Sequence, residues 1–498
     1  MKKNFKYFGV VAAIIAVTFT SCEDLEVENL NEKNSSDIFS DPTTFPSVVD
    51  GAFLTWWQAT QLSTPNMPMS VYAQTLSSSW GNWGMRDLGT IPRAPIQNTL
   101  TYNNRAFMTT PWARLNQSLA QVNDLLRVMN SEFGGQIDDG NGNDLTNQVL
   151  ANGKLAQGLA LGTLGLIFDQ AFIADETVSA IDLGTLELSP YSDVIAAGVT
   201  KLTEAAAIFD SDASTTHSAI NGLNYDNVEA ARFARSFAAK ILAYSSRDAA
   251  EAAANDWTQI LNLTSNTVTA DISPAGDGVF WWTRILIQGQ FPLWTRVSQR
   301  IINMMEGGTG SGTTTDPNNA TAPYPWPDGV NTLPEITNPR DQRISTDFVY
   351  NTGVQFAADR GYYFFSSYNF NKYNYYIAAL LGPMPHLTMN EIGMIRAEAL
   401  IRTGGSKTEA AGLINATRVT RGGLPALTGT ESDADMLKEI TYERLVEFAW
   451  DGALNGWYFR RIASDPSHFL QPGTSPQLPL PAQELEILGL DVYTFGGI

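Results

Sequence analysis

The stretch from residue 388 to residue 462 constrains the fold more than any other part of the sequence, because it predicts three consecutive helices. Each begins with a capping signal: Thr388-Met-Asn-Glu391, Ser406-Lys-Thr-Glu409 or Ser432-Asp-Ala-Asp435. Apolar residues recur at helical spacing after each signal, and Gly404-Gly405 separates the first two helices. The stretch therefore predicts a helical hairpin covered by a third helix.

The polar residues of the third predicted helix allow two interpretations. The acidic and basic side chains in question are Glu443, Arg444, Glu447 and Asp451, with Arg418, Arg421, Arg460 and Arg461 nearby in sequence. Arginine and carboxylate groups form bidentate pairs, so this set would lock the helices together. The alternative is a solvated charged face.

Upstream patterns extend the helical prediction to most of the chain. They predict helices over residues 45–62, 111–129 (Thr110 as N-cap and Pro111 as the first residue), 155–172, 190–206, 227–244 and 248–261. Many helices with short connections are typical of stacked helical hairpins, as in tetratricopeptide arrays. We therefore expect an all-α protein in which residues 64–110 and 264–386 form long irregular insertions, and such segments often carry function.

The N-terminus has the pattern of a lipoprotein signal. Three lysines precede an apolar run over residues 8–19, and Phe19-Thr20-Ser21-Cys22 resembles a lipobox. We expect a signal peptide over residues 1–21, lipid on Cys22, a tether over residues 22–36 and a folded domain over residues 37–498. The alternative is an ordinary secretory signal in which the chain's one cysteine falls at this position by chance.

Composition and motifs exclude several functions. A formal net charge of −20 disfavours binding to nucleic acid or to an anionic membrane surface. His217, His386 and His468 lie in no recognisable catalytic or metal-binding motif, and the acidic loop around Asp139 lacks the glycine and glutamate of a calcium loop. We therefore expect no catalysis, no metal and no cofactor.

Tryptophans in the irregular segments are the remaining functional signal. Sugar rings present a face rich in C–H groups, which stacks on rigid apolar aromatic surfaces. Adjacent residues of an extended segment face opposite ways, so at most one of Trp281 and Trp282 would face a ligand. The predicted glycan-binding residues are Trp80, Trp83, Asn82, Arg86, Asp87, Trp281, Trp282, Tyr324 and Trp326. The loop tryptophans could instead be buried in the core of the scaffold. In that case the predicted binding residues are Tyr362, Tyr363, Tyr368 and Tyr373.

Three phrases in order, "EIGMIRAEAL", "NATRVTRGGLP" and "TYERLVEFAWDGALNGWYFRR", resemble the C-terminal signature of the SusD/RagB family. Two upstream phrases, "NGKLAQGLALGTLGLIFDQAF" and "ARFARSFAAKILAYSSRD", resemble the helical repeats of that family. The resemblance implies a helical scaffold over about residues 37–263 and 387–462, with a loop-rich insertion over about residues 264–386.

The resemblance also implies a function. Members are lipid-anchored nutrient-binding proteins of the outer membrane and partners of a TonB-dependent transporter of the SusC type. We expect a glycan-binding lipoprotein at the cell surface that delivers oligosaccharides to such a transporter. A peptide-binding member of the same family is one alternative, and a secreted glycan-degrading enzyme is another.

Overall fold

The structure, a computed structural model, describes residues 39–62, 64–78, 80–90, 92–179, 182–288, 295–306, 335–352, 365–376, 379–452, 455 and 472–498. Several residues singled out from the sequence lie outside these ranges, namely Cys22, Tyr324, Trp326, Tyr362, Tyr363, Arg460, Arg461 and His468. The described residues are mostly helical, with five two-stranded antiparallel ribbons. None of the helices in this part of the chain is long and apolar enough to cross a membrane.

The helices are numbered in chain order. They are α1 Phe45–Gln61, α2 Asn66–Tyr72, α3 Met85–Gly89, α4 Ala106–Glu132, α5 Thr146–Ile167, α6 Tyr191–Ser211, α7 Asn227–Ser245, α8 Ala249–Ala254, α9 Trp257–Leu263, α10 Arg284–Gln288, α11 Gln299–Glu306, α12 Arg343–Thr346, α13 Met389–Arg402, α14 Lys407–Arg418, α15 Asp433–Glu447 and α16 Ala482–Ile487. The paired strands are β1 Leu76–Ser77 with β7 Arg296–Val297, β2 Gln170–Phe172 with β3 Leu188–Pro190, β4 Thr216–His217 with β5 Tyr225–Asp226, β6 Ala275–Asp277 with β10 Leu381–Pro383, and β8 Phe348–Tyr350 with β9 Tyr368–Phe370.

The first half of the scaffold is a stack of long helices. α1 packs on α4, α4 on α5, α5 on α6 and α6 on α7. Glycines let α5 and α6 approach closely: a Cβ atom at Gly198 would lie 2.6 Å from the backbone nitrogen of Gly162. Because no side chain separates the two backbones there, the helices pack more tightly than larger residues would allow.

The second half confirms the three capped helices predicted at residues 388–447. The hydroxyls of Thr388, Ser406 and Ser432 accept hydrogen bonds from the backbone N–H groups three residues on, at the starts of α13, α14 and α15. α13 packs on α14 and α15, and it also contacts α9 and α7. The all-α prediction is therefore confirmed, with the hairpin attached to the first half through α9.

A buried ionic cluster joins α15 to the insertion. Arg343 is fully buried, with its guanidinium 2.7 Å from Asp341, 2.7 Å from Glu443 and 3.1 Å from Glu447. Lys372 lies 2.8 Å from Glu447 as well. The interpretation of these residues as a solvated charged face is wrong, since α15 buries Glu443 and Glu447 against cations from distant segments.

The partners within this cluster differ in part from those suggested by sequence proximity. Arg421 does pair with Glu447, at 2.7 Å. Arg444, however, contacts Glu398 of α13 at 2.7 Å instead of its neighbours on α15. Side chains of adjacent residues in a helix point in different directions, so each contacts the segment that packs on its own face of the helix.

Several helix boundaries differ from those predicted, including the start of α5 at Thr146 and the end of α6 at Ser211. α4 begins at Ala106, before Pro111, because Phe107 and Met108 are buried and extend the helix through tertiary packing. α5 ends at Ile167, and the residues predicted to continue it form β2. The helix predicted over residues 248–261 is two helices, because the Asn255 side chain bonds the carbonyl of Leu242 and a new N-cap follows it.

The predicted irregular segment over residues 64–110 contains two short helices, α2 and α3. Every residue of α2 is buried, so its sequence shows no amphipathic period to reveal it. The acidic loop around Asp139 connects α4 to α5 as a polar turn, in which the Asp139 carboxylate accepts bonds from Asn141 and Asn143.

The C-terminal segment, residues 472–498, connects the two halves of the scaffold. Leu478 pairs with Phe168 at the end of α5. The buried Asn98 side chain donates to the carbonyls of Leu480 and Tyr493, at 2.8 and 2.9 Å, and accepts from the N–H of Ala482 at 2.8 Å. The last residues of the chain are therefore fixed against its first hundred.

Candidate ligand-binding site

The first predicted binding segment turns sharply at Trp83. Residues Asn82–Gly84 form one turn of 3₁₀ helix, and α3 follows directly. Trp83 has φ 57° and Gly84 has φ 87°, both in the left-handed region. A side chain other than glycine is uncommon there, and such strain is concentrated at functional sites. The backbone at Trp83 thus marks this segment as a candidate site.

The residues of this segment differ in how they are placed. Trp80 and Trp83 are partly buried and pack against the core, whereas the side chains of Asn82 and Arg86 are exposed. The Asp87 carboxylate accepts hydrogen bonds from Tyr102 at 2.5 Å and Asn104 at 3.3 Å. Asp87 therefore fastens the segment to the start of α4, and of the three predicted polar contacts only Asn82 and Arg86 are openly available to a ligand.

The second predicted segment is organised by Asp277. Its carboxylate accepts hydrogen bonds at 2.8–2.9 Å from the N–H groups of Val279, Phe280 and Trp281. Burial opposes ionisation, but these bonds outweigh it and lower the pKa of Asp277. The carboxylate is thus kept charged, and it folds the chain into a tight loop just before the two tryptophans.

The two adjacent tryptophans differ in how deeply their side chains are buried. Trp281 is only 8% exposed, and its ring lies 5.5 Å from that of Trp57. The Trp57 indole N–H donates to the carbonyl of Trp282 at 3.1 Å, and the Trp282 side chain is partly exposed. Trp281 is therefore held in the core, while Trp282 is left at the surface.

Arg284 brings the two segments together. Its guanidinium carbon lies 5.4 Å from the ring centre of Trp83 and 4.8 Å from that of Trp282. Both distances are within the range of a cation–π contact. Burial lowers the pKa of Arg284 below its ordinary value. We call these three residues the tryptophan–arginine cluster.

Arg284 was not identified from the sequence. It follows Trp282 by two residues, but nothing in that spacing indicates a contact with Trp83, about two hundred positions earlier. Only the packing of α10 against α2 and the neighbouring turn brings the arginine to the first segment.

An exposed apolar ridge lies next to this cluster. Val279, Phe280, Tyr375 and Leu381 are each more than half exposed. The ribbon of β6 and β10 places Leu381 opposite Asp277, at the base of the loop that carries the first two. Large exposed apolar side chains that are grouped in this way indicate an interaction surface.

The tyrosines named as a fallback site are poorly available. Tyr368 and Tyr373 are 5% and 8% exposed. The Tyr368 hydroxyl accepts a bond from the N–H of Ile336, and that of Tyr373 donates to Asp451 at 2.5 Å. Both are therefore part of the structural core, and Tyr362 and Tyr363 lie outside the described residues.

The two described histidines, His217 and His386, are also structural in their surroundings. His217 and His386 are both buried, and burial lowers the pKa of each, to about 3 for His217. His386 lies within 3.1 Å of the Gln61 amide and packs on the rings of Trp56 and Trp57. In the described part of the chain, no group of three or more His, Cys, Asp or Glu side chains is placed to hold a metal ion.

Comparison with known proteins gives the fold its class. No family model and no curated protein matches the sequence. Among solved structures, a SusD superfamily protein from Parabacteroides distasonis matches with a TM-score of 0.61 at 12% identity, covering 92% of this chain and 98% of that one.

Two proteins from Bacteroides fragilis match similarly. A SusD-like protein gives a TM-score of 0.56 at 14% identity, with 86% of this chain and 87% of that chain covered. A SusD-like carbohydrate binding protein gives 0.55 at 12% identity, with 83% and 85% covered. The chain therefore has the SusD-like fold over most of its length, as the sequence phrases predict.

Proposed function

We propose that this protein is a glycan-binding lipoprotein of the cell surface, which captures oligosaccharides and delivers them to a TonB-dependent outer-membrane transporter. The observation that carries the proposal is the tryptophan–arginine cluster, in which Trp83 and Trp282 converge on Arg284. The description of one structural neighbour as a carbohydrate binding protein supports the ligand class.

The chemistry of the cluster suits a sugar. Partly exposed indole rings stack on the C–H faces of pyranose rings. Arg284, Asn82 and Arg86 add donors for ring and glycosidic oxygens, and such polar contacts discriminate between ligands more sharply than stacking does. The tryptophan–arginine cluster is the proposed centre of the site, and Trp80, Tyr324 and Trp326 remain predicted members of it.

Calorimetry on single variants tests the site. Trp83→Ala and Trp282→Ala should each weaken oligosaccharide binding by about 1–3 kcal/mol, as expected for aromatic hot spots. The matched control is Trp281→Ala, which changes the adjacent indole. Because Trp281 packs on Trp57, its loss should lower the melting temperature and leave the affinity of the folded protein nearly intact. The reverse pattern would contradict the proposed site.

Salt and ligand charge provide a second check. A neutral glycan should bind with little dependence on ionic strength. With a net charge of −20, the protein should bind polyanionic glycans poorly. Tight, salt-sensitive binding of a sulfated or uronic-acid polymer in an affinity gel would count against a neutral ligand.

A peptide is the second candidate ligand. The exposed ridge of Val279, Phe280, Tyr375 and Leu381 favours it, because apolar side chains of a peptide would find complementary surface beside the cluster. Phe280→Ser separates the two ligands. It should abolish capture of a peptide library and leave capture of a glycan library nearly unchanged.

Binding without catalysis is part of the proposal. Incubation with a panel of polysaccharides should release no new reducing ends, even after long exposure. Release of reducing ends by pure protein would instead identify a secreted glycan-degrading enzyme.

We propose lipid on Cys22, a tether to residue 36 and a surface-exposed folded domain over residues 37–498. The lipobox-like sequence is the support for this arrangement. Cys22→Ala should leave the chain unprocessed or release it from the outer-membrane fraction. A Cys22→Ala protein that still carries lipid in that fraction would contradict the anchor.

The transporter interface is proposed on the helical scaffold and away from the tryptophans, since repeat stacks offer broad rigid surfaces. Gentle extraction of native membranes should copurify a large outer-membrane barrel with the protein at stoichiometric yield. A clean monomer under these conditions would weigh against the delivery role.

A further inference from the structure

A cavity lies on the helical scaffold, separate from the tryptophan–arginine cluster. It is an open groove of about 490 Å³ between α6, the end of α7 and the short helices α8 and α9. This volume falls within the range of about 300–1,000 Å³ that is typical of small-molecule sites. None of its lining residues belongs to the cluster or to the loops around it.

The walls of the groove are rich in hydroxyl groups. Six of the lining residues carry one, among them Thr200, Thr203 and Ser245. These three donate their protons to carbonyls of their own helices, at 2.9, 2.8 and 2.8 Å, so each oxygen is left as an acceptor toward the groove. These fixed acceptor oxygens suit a polyol, whose hydroxyl groups can donate hydrogen bonds to them.

The charge of the lining narrows the class of ligand. Among the described residues, no lysine or arginine lines the groove, and Glu251 is its one charged lining residue. An anionic ligand would find no cation there and would meet a carboxylate. Aliphatic side chains such as Ile195 and Val199 provide apolar surface between the hydroxyls. The lining therefore suits a neutral ligand with both hydroxyl and C–H surface.

Tyr191 gives the groove an aromatic wall that is held rigid. The guanidinium carbon of Arg247 lies 3.4 Å from the centre of the Tyr191 ring. That guanidinium is anchored by the carbonyls of Gly165 and Phe168, at 2.8 and 2.6 Å. Arg247 itself does not line the groove, and its contact holds the Tyr191 ring in place. A pre-organised ring loses little entropy when a ligand stacks on it.

The break between α8 and α9 shapes the opposite wall. The Asn255 side chain donates to the Leu242 carbonyl at 2.7 Å and to the Ser246 hydroxyl at 3.2 Å, which fixes it in place. The break brings both Asn255 and the exposed Gln259 onto the wall.

We propose that this groove is a second binding site for short neutral oligosaccharides, with Tyr191 as its stacking surface. The choice of a saccharide among neutral polyols rests on the proposed function. The site itself rests on the hydroxyl lining, the missing cation and the supported aromatic ring. A second site on the scaffold would hold another part of a long glycan while the tryptophan–arginine cluster binds its own segment.

The test removes the first site and then blocks the second. The Trp83→Ala/Trp282→Ala double variant is titrated by calorimetry with maltohexaose, cellohexaose, xylohexaose and mannohexaose. At least one probe should still bind. Adding Ala196→Trp, which fills the groove from an exposed position of α6, should weaken that binding by about tenfold or more.

The control is Ala207→Trp, which changes another exposed alanine of α6 that does not line the groove. It should leave residual binding within about twofold, a difference worth ~0.4 kcal/mol. Gln259→Trp blocks the groove from the other wall and should reproduce Ala196→Trp. Melting curves establish that each variant is folded.

The possible results test the proposed groove independently of the proposed function. Loss of all binding in the double variant, or residual binding that both blocking variants leave unchanged, overturns the groove. Binding that depends on Ala196 and Gln259 but not on the tryptophans supports the groove and overturns the cluster as the glycan site. If the wild-type protein binds none of the four probes, the proposed groove is wrong; glycan capture is then judged separately, by an array of longer and branched polysaccharides.

Discussion

At the scale of single residues, long-range partners decide what each polar side chain does. Arg343 contacts Asp341, two residues away, and Glu443, one hundred residues away. Arg284 contacts two rings from separate segments. Spacing along the chain indicated which residue types occur together, but which cation meets which carboxylate depends on how the segments pack.

The ionic cluster predicts a ranking of arginine substitutions. Arg343→Met strands two fully buried carboxylates and should cost on the order of 3–5 kcal/mol in the free energy of unfolding. Arg444→Met should cost less, because its partner Glu398 keeps Arg402 at 2.8 Å. Urea unfolding measures both.

The control for this ranking is Arg396→Met, which removes an ion pair with a half-exposed partner, Glu409, and should cost less than about 1 kcal/mol. Equal losses for Arg343→Met and Arg396→Met would contradict the cluster. Ligand affinity should be preserved in all folded variants, since none of these residues belongs to the proposed sites.

The same cluster contains two carboxyl groups whose contributions to the free energy of unfolding change with pH in opposite directions. Burial opposes ionisation of Glu447, yet Lys372, Arg343 and Arg421 lower its pKa to about 2. The contribution of Glu447 to the free energy of unfolding is therefore present above pH 4.5 and is lost as the pH falls toward 2. Burial raises the pKa of Asp451 to about 6, although Lys372 opposes the shift. The contribution of Asp451 to the free energy of unfolding is therefore present below pH 3.8 and is lost as the pH rises through 6.

The free energy of unfolding, measured across this pH range, separates the contribution of Glu447 from that of Asp451. Glu447→Gln should reduce the loss of stability as the pH falls from 4.5 toward 2. Asp451→Asn should make the slope of stability against pH more positive between about pH 4 and pH 6, where the buried His217 and His386 act in the opposite direction to Asp451. If the Asp451→Asn profile in that interval keeps the wild-type slope, Asp451 is not the group that titrates there.

At the scale of elements, the three helix starts marked by a capping box were the most predictable feature. The caps at Thr388, Ser406 and Ser432 all accept the expected backbone bonds. These interactions span three residues, so they are written locally in the sequence. Boundaries set by packing were not predicted, as the early start of α4 before Pro111 illustrates.

The close approach of α5 and α6 predicts a large effect of one methyl group. At Gly198, a Cβ atom would lie within 3 Å of backbone atoms of Gly162, which have no room to move aside. Gly198→Ala should therefore force the helices apart and destabilise the protein by about 1–3 kcal/mol, measured as a lower denaturant midpoint.

The matched control is Gly412→Ala in α14, where a Cβ atom meets nothing within 4 Å. That change should stabilise the protein by up to about 1 kcal/mol, because alanine is the better helix former. A stabilised Gly198→Ala variant would show that the two helices are not in tight contact.

At the scale of the whole molecule, the two halves are joined by the C-terminal segment and by α9 against α13. The long helices of the first half and the hairpin of the second were both expected from the sequence. Their connection was not, because Asn98 meets Leu480 and Ala482 across nearly four hundred residues. No local pattern encodes a contact of that range.

Asn98→Ala tests the junction. The change leaves the Ala482 N–H and the carbonyls of Leu480 and Tyr493 without their partner, at about 1–3 kcal/mol for each buried group that stays unpaired. Asn116→Ala is the control, since that side chain bonds only a carbonyl of its own helix. Limited proteolysis should remove the C-terminal segment from Asn98→Ala first. Equal resistance of the two variants would mean that the junction does not depend on Asn98.

The sequence by itself determined the helical class, the capped helices, the loop segments rich in tryptophan and the resemblance that the fold bears out. These follow from periodicity and capping, which act over a few residues. Tertiary structure decided that Trp282 and not Trp281 is left at the surface, that Arg284 joins the two segments and that a groove opens where a helix was expected to continue. Each of these depends on distances between segments far apart in the chain, and such distances are set only when the core packs.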